Sequence, residues 1–248
     1  MVRFEYSGKP VSRHNKSVLR FLLCLGILTS PLCAQRWRDL ATPLPVPAGS
    51  TLVIGFLGGF KQWDDVHRGV RRVALDLRDH HLPRVYVETF SNHSRTLALR
   101  MIEQACGKPG ACAGVILYGQ SWGGAAAIQT ARDLLRMNIV VPLTVQVDSV
   151  GIHDSLIPRN VKAAANIFQH DPFTIQGQQE IRAEDPAATR ILENTRHSYF
   201  FRPLETLRAA DAGWARRTLG GSHAKMELDP ALWLHVEELI LRALNGTL

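Results

Sequence analysis

Val115-Ile116-Leu117-Tyr118-Gly119-Gln120-Ser121-Trp122-Gly123-Gly124 is the stretch on which the reading of this chain turns. Its first four residues are apolar or bulky and predict a buried strand. Gly123, Gly124, Ala125, Ala126 and Ala127 then open a small-residue segment that predicts a helix over residues 123–137. Between them, Gly119-Gln120-Ser121-Trp122-Gly123 fits the pattern G-x-S-x-G. On a strand-to-helix turn the serine is held in a strained conformation, and side chains two residues to either side would collide, so glycine is favoured at both places. The hydroxyl is lifted above the sheet edge, at the positive end of the following helix. That is the geometry of a nucleophile. The bland alternative is a tight turn with an incidental serine.

Outward from this unit, strands and helices alternate. Residues 51–56 are an apolar strand running into Leu57-Gly58-Gly59-Phe60, and 64–80 form an amphipathic helix with Val66, Val70, Val73, Leu75 and Leu77 among basic residues. A strand at 84–90 and a helix at 94–105 precede the serine strand. Apolar strands at 139–147 and 163–169 follow it, and the sixth is expected either at 187–193 or at 196–201. Asp229 and Pro230 predict the start of a final helix with the stripe Trp233, Val236, Ile240 and Leu244. Such alternation predicts an α/β fold with a mostly parallel central sheet and helices on both faces, a three-layer α/β/α architecture.

The 248 residues are enough for one substantial domain, and 46% hydrophobic with 21% charged residues excludes a disordered chain. Residues 1–34 read as a signal peptide. Arg3, Lys9, Arg13, Lys16 and Arg20 precede the apolar run 21–28, and a small-residue cleavage position falls at Ala34. An uncleaved anchor is the alternative. Five of the 29 basic residues and one of the 22 acidic ones lie in this segment, leaving 24 against 21 and a net of +3. That charge is too mild and scattered for a nucleic-acid partner. With the segment removed, no stable membrane span is expected. The expectation for location is secreted or periplasmic, or membrane-anchored if the segment stays. Residues 35–50, with Pro43, Pro45 and Pro47, read as a linker or covering segment ahead of a domain at 51–248. Cys106 and Cys112 bracket a five-residue turn, a local disulfide in an exported protein.

The strand-GQSWGG-helix unit, in an alternating α/β chain with a late histidine, resembles the α/β-hydrolase superfamily in a compact, esterase- or lipase-like form. The resemblance covers residues 51–248 and rests most specifically on the serine turn. It implies the chain order nucleophile, acid, histidine. Ser121 is then the nucleophile, which needs an imidazole within reach because a lone serine hydroxyl is too weak. His223, in Gly220-Gly221-Ser222-His223, fits as a loop residue before the last helix, with His197 as runner-up. Asp148, directly after an apolar strand, is the candidate acid, and Asp171 the alternative. The oxyanion donors are expected at Trp122 and at Leu57, with Gly58 as alternative to Leu57. Gly55-Phe56 stands where many hydrolases have His-Gly.

No phosphate-loop, dinucleotide or metal-ligand spacing is present, so no cofactor is expected. The implied activity is a serine hydrolase acting on a small-molecule or lipid ester through an acyl-enzyme. A non-catalytic binding member of the same fold is the alternative.

Overall fold

Continuous apolar runs become the middle strands of a parallel sheet, where both faces are covered and no polar alternation is needed. The computed structural model describes residues 34–108, 110–172, 174–200 and 221–248. The expected signal peptide therefore lies, up to residue 33, outside the described residues. Strands β1 (Ser50–Leu57), β2 (Val85–Ser91), β3 (Cys112–Gln120), β4 (Val141–Val147), β6 (Val161–Gln169) and β8 (Arg190–His197) form one sheet. Its order is β2-β1-β3-β4-β6-β8, and every neighbouring pair is parallel. A second, two-stranded ladder pairs β5 (Leu156–Ile157) with β7 (Arg182–Ala183).

The strand period of two divides the core into layers. On one face Leu52, Ile54, Val115 and Leu117 pack with Met101 and Ile102 of α2 (Arg95–Cys106) and Ile128 and Leu134 of α3 (Trp122–Arg136). On the other, Val53, Ile116 and Val145 meet Val70, Val73 and Leu77 of α1 (Gly69–Asp79). Trp233, Val236 and Ile240 of α5 (Pro230–Leu244) complete that layer. Asp229 caps α5, its side chain accepting the N–H groups of Ala231 and Leu232, and Pro230 takes the first helical position. The fold is thus a three-layer α/β/α, α/β-hydrolase-like sheet. From β1 the chain goes to β2 on one side and then back across to β3 on the other. The crevice beyond the carboxyl ends of β1 and β3 is the topological switch point.

Two elements differ from the sequence expectation. The first helix starts at Gly69 rather than 64, because Asp65 accepts hydrogen bonds from the His67 N–H (3.1 Å) and Arg68 Nε (2.7 Å) and closes 64–68 into a turn. The sixth strand of the main sheet takes part of both candidate ranges. As an edge strand with no fully buried residue, it carries Arg190, Glu193 and Arg196 in place of an apolar run. Residues 35–50 are bound to the domain and do not hang free of it. Gln35 Nε2 donates to the Thr89 carbonyl (3.0 Å), and the Ala41 and Thr42 N–H groups both donate to the buried Glu88 carboxylate (2.6 Å each). Cys106 and Cys112 form a disulfide between the end of α2 and the start of β3. Among the described residues, no helix is long and apolar enough to cross a membrane.

Candidate active site

The turn from β3 into α3 brings Ser121 to φ 57°, ψ −128°, a left-handed conformation for a residue with a side chain. Strain of this kind costs about 1–3 kcal/mol and persists only where the surroundings over-determine it. Here they do. The Ser121 N–H donates to the Val147 carbonyl (3.0 Å), and the Ser121 carbonyl accepts from Val150 (3.1 Å) and Gly124 (3.0 Å). Both flanking glycines are sterically required. A Cβ on Gly119 would lie 2.4 Å from the Gly123 carbonyl oxygen, and one on Gly123 would lie 1.9 Å from that of Phe56. The turn is thus wedged between the ends of β1 and β4.

Asp148 directly follows β4 and is fully buried. Its Oδ2 lies 2.6 Å from His223 Nδ1. The same carboxylate accepts from Gln169 Nε2 (3.0 Å), the Gln169 N–H (3.3 Å) and the Gly177 N–H (3.0 Å). Burying a carboxylate this completely is costly unless it accepts such hydrogen bonds. His223 is mostly buried and is further fixed through its backbone. Its carbonyl accepts from Gln120 Nε2 (3.4 Å), and its N–H donates to Thr174 Oγ1 (3.4 Å). His223 is therefore tied through its backbone to the residue before Ser121, and through its imidazole to the residue after Val147, whose carbonyl accepts from the Ser121 N–H. Among the described residues, no hydrogen bond joins Ser121 Oγ to the imidazole. Such bonds often tighten only when substrate is bound.

His223 stands on a helix, α4 (Gly221–Leu228), where a flexible loop was expected. One turn on, Glu227 accepts from Arg68 Nη1 (2.8 Å) and pairs with Lys61. Arg68 is also bonded to Asp65, so α4 is bolted to the 58–68 segment that leaves β1. These residues, with Gln169, Gly177 and Thr174, carry no recognisable spacing in the sequence.

Trp122 is the first residue of α3, where backbone N–H groups lack a partner within the helix. Leu57 remains inside β1, in register with Ser91 of β2, with its side chain buried. Gly58 is the residue that closes on Ser121. A Cβ there would meet the Gln120 carbonyl oxygen at 2.5 Å and Ser121 Cβ at 2.7 Å.

The runner-up candidates are placed elsewhere. His197 ends β8 and stacks on Tyr199 at 6.2 Å. Asp171 accepts from Ser222 Oγ, Ser198 Oγ (2.7 Å) and the Tyr199 N–H (2.7 Å), so it anchors the residue next to His223 and not the imidazole. Burial pushes the Asp171 pKa up, but the hydrogen bonds from Ser222, Tyr199 and Ser198 and the charge of Arg196 outweigh it and hold the carboxyl below its ordinary value. A carboxyl depressed in the folded state stabilises above its unfolded pKa, and that stability is lost as pH falls through the folded pKa. Asp171→Asn should therefore lower the melting temperature at about pH 6, and the gap from the unmutated protein should narrow toward about pH 3. Thermal unfolding of both proteins across that range measures it. A gap that stays constant would show that the carboxylate charge is not what anchors Ser222.

No family model matches the chain, and no curated protein matches it. Among solved structures it is similar to the NocB thioesterase domain from the nocardicin cluster, at 12% identity over 80% of this chain and 96% of that one, with a TM-score of 0.41. It is also similar to SrfTE, the thioesterase domain described for cyclization of the lipopeptide antibiotic surfactin. There the identity is 14% over 79% of this chain and 92% of that one, with a TM-score of 0.40. These values are too low to bear on activity.

Proposed function

We propose that the chain is an exported serine hydrolase that cleaves a carboxylic ester through an acyl-enzyme on Ser121. The observation that carries this reading is the buried Asp148 carboxylate, 2.6 Å from His223 Nδ1, beside a serine at φ 57° on a strand-to-helix turn. In the first step Ser121 Oγ attacks the ester carbonyl carbon as His223 Nε2 takes the hydroxyl proton. Asp148 holds the Nδ1–H tautomer and stabilises the imidazolium. The Trp122 N–H and the N–H of Gly58, in preference to Leu57, receive the negative oxygen, each such donor contributing ~3–4 kcal/mol. Collapse of the tetrahedral intermediate expels the alkoxide, which takes the proton from His223. Water then repeats the sequence on the acyl-enzyme and releases the acid.

A fluorophosphonate probe tests this reading against the non-catalytic one. The folded protein should be labelled and Ser121→Ala should not. A folded protein that fails to react favours a binding module, and a variant that reacts equally rules out Ser121 as the attacking group. Export is supported by the basic and apolar pattern of residues 1–34 and by the Cys106–Cys112 disulfide, which suits an oxidising compartment. N-terminal sequencing of the exported protein should begin at Gln35. A protein found in the cytoplasm with Met1 or Val2 first contradicts export.

A further inference from the structure

Gln169, the last residue of β6, is fully buried, and both ends of its side-chain amide are engaged. Nε2 donates to Asp148 Oδ2 (3.0 Å) and to the Ile175 carbonyl, while Oε1 accepts from the Asp171 N–H (2.9 Å). This pattern fixes which way the amide faces, because the reverse would set its oxygen against a carboxylate and a carbonyl.

The three bonds reach each part that holds the acid and the base. Asp148 Oδ2 is shared between Gln169 Nε2 and His223 Nδ1 (2.6 Å), and Oδ1 is held by the N–H groups of Gln169 (3.3 Å) and Gly177 (3.0 Å). Ile175 lies in a loop that touches both catalytic partners. On one side of it Thr174 Oγ1 accepts from the His223 N–H (3.4 Å). On the other, Gly177 is pressed so closely on Asp148 that a Cβ there would come within 2.4 Å of the Asp148 carbonyl carbon. Asp171, on the third bond, accepts from Ser222 Oγ beside His223. A lysine or arginine in this place would orient the carboxylate but also neutralise it, weakening its hold on an imidazolium. A neutral amide orients it and leaves its charge for His223.

We infer that Gln169 is a positioning residue for the reaction, its amide holding the Asp148 carboxylate in the rotation that meets His223 Nδ1 and drawing the loop 174–177 against both. This rests on the serine-hydrolase reading. Because the effect passes through Asp148, it has a signature that a role in folding alone lacks.

The test is a double-mutant cycle on the full chain. It measures kcat and KM on p-nitrophenyl butyrate, beside thermal unfolding, for the unmutated protein, Gln169→Met, Asp148→Asn, the double variant and Ser121→Ala. Methionine keeps the length of the side chain and removes the amide. Gln169→Met should lower kcat by about 10- to 100-fold, the loss of one hydrogen bond to a charged group, and leave KM within about threefold. In the Asp148→Asn background no carboxylate is left to orient, so adding Gln169→Met should change kcat by less than about threefold. A kcat for Gln169→Met within about threefold of the unmutated protein, or an equal loss in both backgrounds, overturns the role and leaves the hydrolase reading standing. If Gln169→Met alone unfolds, the double variant decides. One that folds and keeps the Asp148→Asn rate supports action through Asp148, and one that also unfolds shows that Gln169 serves the fold alone. Turnover that survives Ser121→Ala, or none in the unmutated protein, overturns the hydrolase reading and this role together.

Discussion

Ser121→Ala lowers kcat on a short-chain ester by on the order of 10⁶-fold, because the attacking oxygen is gone while the rest of the site stands. The fold should survive the change. Ser121 is held by backbone hydrogen bonds to Val147, Val150 and Gly124 that alanine keeps, and the left-handed φ is equally strained for either side chain. Hydrolysis rates measured beside thermal unfolding separate the two effects. The account expects lost turnover at a nearly constant melting temperature. Turnover within tenfold of the unmutated protein would mean that another group attacks the ester.

Asp148→Asn is the second large effect, a loss of about 10⁴-fold in kcat from a change of one atom. The direction follows from the hydrogen bonds around the carboxylate. Oδ1 accepts from the N–H groups of Gly177 and Gln169, so an asparagine would place its carbonyl oxygen there. Its amide would then occupy the Oδ2 position and point a donor at His223 Nδ1. The imidazole would be forced into the Nε2–H tautomer, which cannot take a proton from Ser121. The amide would also face the Gln169 Nε2 donor, adding a stability cost. Kinetics of Asp148→Asn beside Asp171→Asn checks the assignment. Only the first should abolish turnover, because Asp171 bonds to Ser222 and the chain at 198–199 and not to the imidazole.

The parts of this structure that were legible in the sequence are those where one local cause dominates. The middle strands β1, β3, β4 and β6 are apolar runs because parallel strands are buried on both faces. The serine turn was visible because its glycines answer to contacts of 1.9–2.4 Å that no other residue survives. Asp148 was visible as a polar residue ending an apolar strand, and Asp229-Pro230 as a cap whose bonds are local.

What was not legible depends on distant partners. Edge strand β8 has a polar sequence because solvent takes one side of it, so its bounds could not be read from hydrophobicity. That Asp148 and not Asp171, 75 and 52 residues of chain away, meets His223 depends on where β4 and β6 end in the sheet. The buried pairing of Glu227 with Lys61 and Arg68 joins segments 159 residues apart, and no spacing rule encodes it. The approach of Gly58 to Ser121 is a contact between the ends of adjacent strands, which no local pattern in the sequence reports.

The most direct test of the central claim is peptide mapping by mass spectrometry after treatment of the folded protein with a fluorophosphonate. A single adduct on Ser121, formed at a rate that falls sharply in Asp148→Asn and His223→Ala, is the result predicted by an activated serine. An unmodified Ser121 in folded protein, or labelling at a rate indifferent to Asp148 and His223, would contradict it.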